Sequence, residues 1–239
     1  MTDVCSRPLR RRRCYLVRHG HVSYFDAAGR PLDPRGVPLS AEGVRQARAL
    51  GQALEGVAVD RAVCSDYPRA RQTLDQLLAG RSVPVEELAG LREIRAGRLR
   101  DIPGDALHAE VTQAYLLAGR DGAAFLRGEA WRPFQGRVLE AFHSLLAEPD
   151  WETALVVSHD AVNRILLSWA SGAGLQGLAA FEQDTACLNV LDIDMDGPQV
   201  VRAIIRVQNF TPYDPAKAGI RQTVMENLFT AIDPRGLNA

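Results

Sequence analysis

Cys14-Tyr15-Leu16-Val17 and Ala154-Leu155-Val156-Val157 are apolar at every position. A strand of that kind has to be buried on both faces, and an open α/β sheet does this by placing helices above and below it. Strand-like and helix-like segments alternate around these two runs. Ser40 reads as the N-cap of a helix reaching about Leu54, with Val44, Ala47, Leu50 and Leu54 on one face. Arg61–Ser65 is the next strand, a helix starts near Pro68, and Val83–Val85 is a short strand whose Pro84 suits a sheet edge. Ala161–Ala170 reads as a helix, and Cys187–Ile193 with Val200–Val207 as two strands joined around Asp196-Gly197. The expected architecture is α/β: three layers, α/β/α, around a mostly parallel central sheet.

Strand signals stop between Leu99 and Glu148, where helical patterns cover Ala106–Leu117 and Arg137–Leu146. This stretch is expected to be a helical insertion over the active-site edge of one domain spanning 1–239. Arg98, Arg100, Trp131, Arg132 and Phe134 are its candidate pocket-lining residues. The tail from Thr211 carries Ile220, Val224, Leu228 and Ile232 at helical spacing, a stripe suited to capping the sheet, closing the site or forming a homodimer.

The formal net charge of −1 supplies no field favouring nucleic acid or a membrane surface. The one basic cluster, Arg7 with Arg10–Arg13, reads as a solvated N-terminal arm. Cys5, Cys14, Cys64 and Cys187 form no C-x-x-C pair and no zinc spacing, so buried thiols in a reducing compartment are expected. With no signal-peptide core and no apolar span of about 18 residues, a cytoplasmic protein is expected.

The chemistry-bearing residues sit at strand ends, where open α/β sheets bind ligands. The first apolar run delivers Arg18-His19-Gly20, Arg61–Ser65 runs into a turn that places Arg69 at a helix start, and Ala154–Val157 runs into Ser158-His159-Asp160. Glu93 lies between them. Two histidines, two arginines and a carboxylate suit an anion-handling pocket, since a histidine can attack phosphorus and arginine forks hold phosphate oxygens. His108 and His143 fall in helical patterns and read as exposed or structural.

Five segments in order resemble the histidine phosphatase superfamily, in its phosphoglycerate mutase-like branch. They are Leu16-Val17-Arg18-His19-Gly20, Pro38–Gly43 with Gln46-Ala47, Ser65-Asp66-x-x-Arg69-Ala70-x-Gln72-Thr73, Leu91-x-Glu93-x-x-x-Gly97, and Val156-Val157-Ser158-His159. The resemblance implies His19 as a nucleophile that forms a phosphohistidine, with Arg18 and Arg69 binding the phosphoryl group and His159 donating to it. Glu93 would be the general acid and base. It further implies a small phosphorylated substrate, with no metal and no organic cofactor.

Departures from the pattern fall at His21, Val22 and Phe25. The last stands where relatives often carry an Asn that contacts phosphate, a contact that Ser23 or Asp26 would then have to supply. Asp160 replaces a common Gly and rivals Glu93 as proton donor, as in the superfamily's other branch. The expected function is hydrolysis of a phosphomonoester through phosphohistidine at His19. The alternatives are a phosphoglycerate mutase-type phosphotransferase and a non-catalytic scaffold that binds a phosphorylated ligand.

Overall fold

The computed structural model describes residues 9–26, 28, 30 and 32–232. Its first strand, β1 (Arg10–Arg18), begins four positions ahead of the apolar run, so Arg10–Arg13 are sheet residues and not a solvated arm. Arg7 and Cys5 lie outside the described residues. The reason for the longer strand lies in β5 (Leu188–Asp196), which runs antiparallel to β1 and sets Asp194 opposite Arg11 and Asp192 opposite Arg13. Opposite charges directly across a strand pair stabilise the pairing. Arg202 and Arg206 of β6 (Gln199–Phe210) reach the same two carboxylates from the other side, so each buried Asp is pinched between two guanidiniums. Arg12 points to the opposite face, donates to the Leu146 carbonyl at 2.7 Å and lies 4.4 Å over the Trp151 ring.

The remaining elements follow the expected alternation: α1 (Ala41–Ala53), β2 (Arg61–Cys64), α2 (Pro68–Leu78), β3 (Val85–Glu87), α3 (Gly104–Thr112), α4 (Trp131–Ala147), β4 (Thr153–Ser158), α5 (Asp160–Ser171) and α6 (Val224–Ile232). The six strands lie in the order β3-β2-β4-β1-β5-β6. β3, β2, β4 and β1 are mutually parallel, and β5 and β6 add antiparallel pairs. Pro84 precedes β3 at the sheet edge, where its missing N–H costs no ladder bond. Side chains alternate between the layers. Cys14, Leu16, Ala154, Val156, Leu191 and Ile193 pack toward α4 and α5, while Val17, Ala62, Cys64, Leu155 and Val157 pack toward α1 and α2.

Two expectations about the insertion change. α4 starts at Trp131 and buries Trp131, Phe134, Val138, Phe142, Leu145 and Leu146, a stripe that makes it a layer helix against the sheet and α5. Trp131 and Phe134 are therefore core residues and not pocket lining. Only the stretch ahead of α4 stands outside the layers, as α3 and short 3-10 turns; Arg98, Arg100 and Arg132 are exposed on it and at the start of α4. Of the expected tail stripe, Leu228 packs against the core, but the face that α6 buries centres on Met225 and Phe229, whose ring lies 4.8 Å from that of His108 in α3. His143 packs similarly against Trp169. Cys14, Cys64 and Cys187 are free and buried, and burial pushes each thiol up to about 12. Among the described residues no helix is long and apolar enough to cross a membrane.

Hydrogen bonds from Arg11 and Arg202 hold the Asp194 carboxyl down at about 2, from an ordinary value of 3.8. A depressed carboxyl stabilises the fold above its unfolded value and loses that contribution as pH falls through the folded one. Asp194→Asn is therefore expected to lower the thermal midpoint at neutral pH, with the gap from wild type closing between about pH 4 and about pH 2 in melts across that range. A gap that stays constant with pH would contradict the assignment.

Candidate active site

The parallel pairing of β1 with β4 sets Arg18 opposite Ser158, so the next residue on each strand is a histidine at the same sheet edge. The His19 N–H donates to the Ser158 carbonyl at 3.0 Å, and the two imidazoles meet edge to face with centroids 5.2 Å apart. β2 ends beside them and hands the chain to α2, which opens on Pro68 and places Arg69 in its first turn.

His19 is 2% exposed. Its Nδ1 lies 2.8 Å from the Gly20 carbonyl, which can only accept, so Nδ1 carries the proton and Nε2 keeps its lone pair. Arg69 Nε donates to that lone pair at 3.1 Å. Burial first, then the charges of Arg69 and Arg18, hold the His19 pKa well below its ordinary value. A buried imidazole between two guanidiniums is thereby kept neutral, as an attacking nitrogen requires. Arg69 also donates to the Pro34 carbonyl and lies 4.9 Å over the Tyr67 ring. Arg18 Nη1 donates to the Gln183 carbonyl at 2.6 Å. His159 Nε2 sits 2.9 Å from Ser65 Oγ, and burial again leads Arg69 in lowering its pKa. Two buried polar atoms of this site, Arg18 Nε and His159 Nδ1, have no partner among the described residues. Buried polar atoms of this kind beside His19 suit an anion-binding site.

Glu93 joins this group from the loop after a short 3-10 turn at Ala89–Leu91. Its Oε1 accepts from the N–H of Ile94 at 3.0 Å and from that of Ala161, in the first turn of α5, at 3.2 Å. Burial first and then the neighbouring Asp160 charge push the Glu93 carboxyl up to about 7, against the pull of Arg69 and Arg18. Asp160 is differently placed. Tyr115 donates to its Oδ2 at 2.9 Å and Arg164 to its Oδ1 at 2.7 Å.

The other motif residues hold the loops. Gly20 N–H donates to Thr73 Oγ1, His21 N–H to Gln46 Oε1 and Leu39 N–H to Gln72 Oε1. Ser40 accepts from Gly43 N–H at 3.1 Å as the N-cap of α1. His21 is exposed with Nδ1 2.8 Å from Ser40 Oγ, and Val22 is buried. Ser23 donates to the Phe25 carbonyl, and Asp26 is engaged by Arg30, so both are occupied within their own loop.

Sequence reasoning assigned no role to Ser65, Tyr67 or Gln183. Ser65 and Tyr67 lie inside a recognised motif and were readable as neighbours of Arg69. Gln183 carried no signal, because it reaches Arg18 only through the fold, supported by Asn163 and Asn189.

Residues 14–205 match the model of the histidine phosphatase superfamily, branch 1. The chain belongs to that superfamily. This histidine phosphatase is 30% identical over 185 residues to the adenosylcobalamin/alpha-ribazole phosphatase of Escherichia coli (strain K12), covering 76% of this chain and 90% of the relative. It is 31% identical over 160 residues to a Yersinia pestis (strain Pestoides F) protein named probable phosphoglycerate mutase GpmB, covering 66% and 74%. Among solved structures, the alpha-ribazole phosphatase of Shigella flexneri superimposes with a TM-score of 0.65 at 28% identity, over 82% of this chain and 96% of that one.

Gly20 and Gly43 let the loop after β1 pass against α1. A Cβ on Gly20 would lie 2.5 Å from the Gly43 carbonyl oxygen, and one on Gly43 would strike the backbone of His21. Gly20→Ala and Gly43→Ala are each expected to destabilise this histidine phosphatase by about 1–3 kcal/mol in urea titrations, as overpacking does. Unchanged midpoints would show that the loop gives way freely.

Proposed function

We propose that the protein hydrolyses a small phosphomonoester through a phosphohistidine on Nε2 of His19. The observation that carries this is the His19 imidazole itself: its proton is committed to the Gly20 carbonyl and its lone pair is turned toward Arg69. In the first step Nε2 bonds to phosphorus as the phosphorus–oxygen bond to the leaving group breaks. Arg18 and Arg69 take the phosphoryl oxygens, and Arg69 exchanges its bond with Nε2 for one with an incoming oxygen. With Ser65 Oγ–H donating to Nε2 of His159, the neutral ring carries its proton on Nδ1, the tautomer that can donate to a phosphoryl oxygen.

Glu93 gives its proton to the leaving oxygen. As a carboxylate it then takes a proton from the water that attacks phosphorus, and the phosphorus–nitrogen bond breaks to release phosphate. A carboxyl that titrates at about 7 can serve as acid and as base at neutral pH. Asp160 is the weaker candidate for this work, because both of its oxygens accept from fixed donors.

His19→Ala is expected to abolish both turnover of phenyl phosphate and trapping of labelled phosphoenzyme. Glu93→Gln should lower kcat on that substrate by about 10²–10⁴-fold, the usual range for a lost general acid. In wild type, kcat/KM should fall as pH rises above about 7, because the required acid form of Glu93 is lost there, and Glu93→Gln should lack that limb. Water should discharge the trapped phosphoenzyme in a quench-flow chase. Discharge only by added phosphoglycerate would identify a mutase instead, and equal rates for wild type and His19→Ala would refute catalysis at His19.

A further inference from the structure

Asp160 opens α5 immediately ahead of Ala161, whose N–H binds Glu93. Its carboxylate accepts from Tyr115 at Oδ2 and from Arg164 at Oδ1, so each oxygen is held by a fixed donor. Arg164 is 1% exposed, lies 4.0 Å over the Tyr115 ring and pairs at 3.0 Å with Glu182 Oε2 as well. One guanidinium thus serves two carboxylates, the buried Asp160 and the half-buried Glu182. The other oxygen of Glu182 accepts from Val224 N–H at the start of α6. The cluster therefore ties together the segment after α3, the start of α5 and the tail helix, and it stands next to Glu93.

We propose that Asp160 is a positioning residue for the proton donor: held by Tyr115 and Arg164 at the start of α5, next to the Ala161 N–H that seats Glu93, it sets a second carboxylate beside that donor and favours its protonated form. The inference rests on Glu93 being the donor. The groups facing Glu93 are Asp160 from α5, Tyr115 from the segment after α3, Arg69 from α2 and Arg18 from β1, while Arg137 of α4 donates to its backbone carbonyl. The arginines favour the ionised form, and burial together with Asp160 outweighs them. A second carboxylate at close range disfavours ionisation, and Asp160 opposes the two arginines in this way.

The test is the pH profile of kcat/KM on phenyl phosphate for the full chain and four variants. Asp160→Asn keeps the shape and an acceptor oxygen but removes the charge. It should move the alkaline limb down by about one pH unit, with the acid-side plateau close to wild type. Tyr115→Phe removes one hydrogen bond, keeps the charge and should leave the limb in place. If Asp160→Asn lowers the rate equally at every pH, Asp160 is only structural and the proposal falls, while the role of Glu93 stands on Glu93→Gln lacking the limb. If Asp160→Asn abolishes turnover and Glu93→Gln does not, Asp160 is itself the donor and both readings fall. Should Asp160→Asn fail to fold, Glu182→Gln removes a charge from the same cluster at its more accessible end and should shift the limb in the same direction. An unmoved limb there overturns the proposal.

Discussion

In the ladder between β1 and β4, Arg18 stands opposite Ser158, and the residues that follow on both strands are histidines. Parallel strands in register end together, so a single pairing brings His19 and His159 to one edge although they are far apart in the chain. Every later feature of the site leans on that edge. β2 ends beside it and launches α2 with Arg69, and α5 begins on it with the N–H that receives Glu93. The segment after α5 returns past it to hold Arg18 through the Gln183 carbonyl. A shift of β1 by one residue would turn His19 toward the other face and dissolve the constellation.

Electrostatics divides this edge into two halves. Around His19 and His159, burial and two guanidiniums disfavour any further positive charge, so both rings are neutral and the half is receptive to a dianion. Around Glu93, burial and the neighbouring Asp160 disfavour ionisation and push the carboxyl up to about 7. The groups lie within one site yet their environments push them in opposite senses, which is how one pocket can hold both a base-like nucleophile and an acid. The arginines are held from behind, by the carbonyls of Gln183 and Pro34 and by the Tyr67 ring. Their geometry therefore exists before any ligand binds, which lowers the reorganisation needed during reaction.

The layer architecture was legible because periodicity reports burial directly: the continuous apolar runs became the central strands and the hairpin around Gly197 formed as read. His19, Arg18, Arg69, Glu93 and His159 come together for a common reason, since each lies at or beyond the C-terminal end of a strand or in the first turn of a helix at the same end of the sheet. The errors arose where a residue's partner is distant. Arg10–Arg13 read as a tail because the acidic residues that pull them into the sheet lie on β5, and nothing local announces that pairing. Trp131 and Phe134 read as pocket lining because an aromatic residue at a helix start looks the same whether it faces a pocket or a core.

The sequence by itself determined the order of elements, the strand-end delivery of the reactive side chains and the membership of the chain in its superfamily, because these depend on local pattern and on spacing within short motifs. Only the tertiary structure decided which nitrogen of His19 is free and how Arg18 is held. It also decided what surrounds Asp160. At the sequence level Asp160 and Glu93 are two carboxylates of equal standing. The fold separates them by giving Asp160 fixed donors from Tyr115 and Arg164, and Glu93 a half-buried seat on a helix N–H. Protonation follows surroundings, and surroundings are assembled from residues that no local stretch of sequence contains.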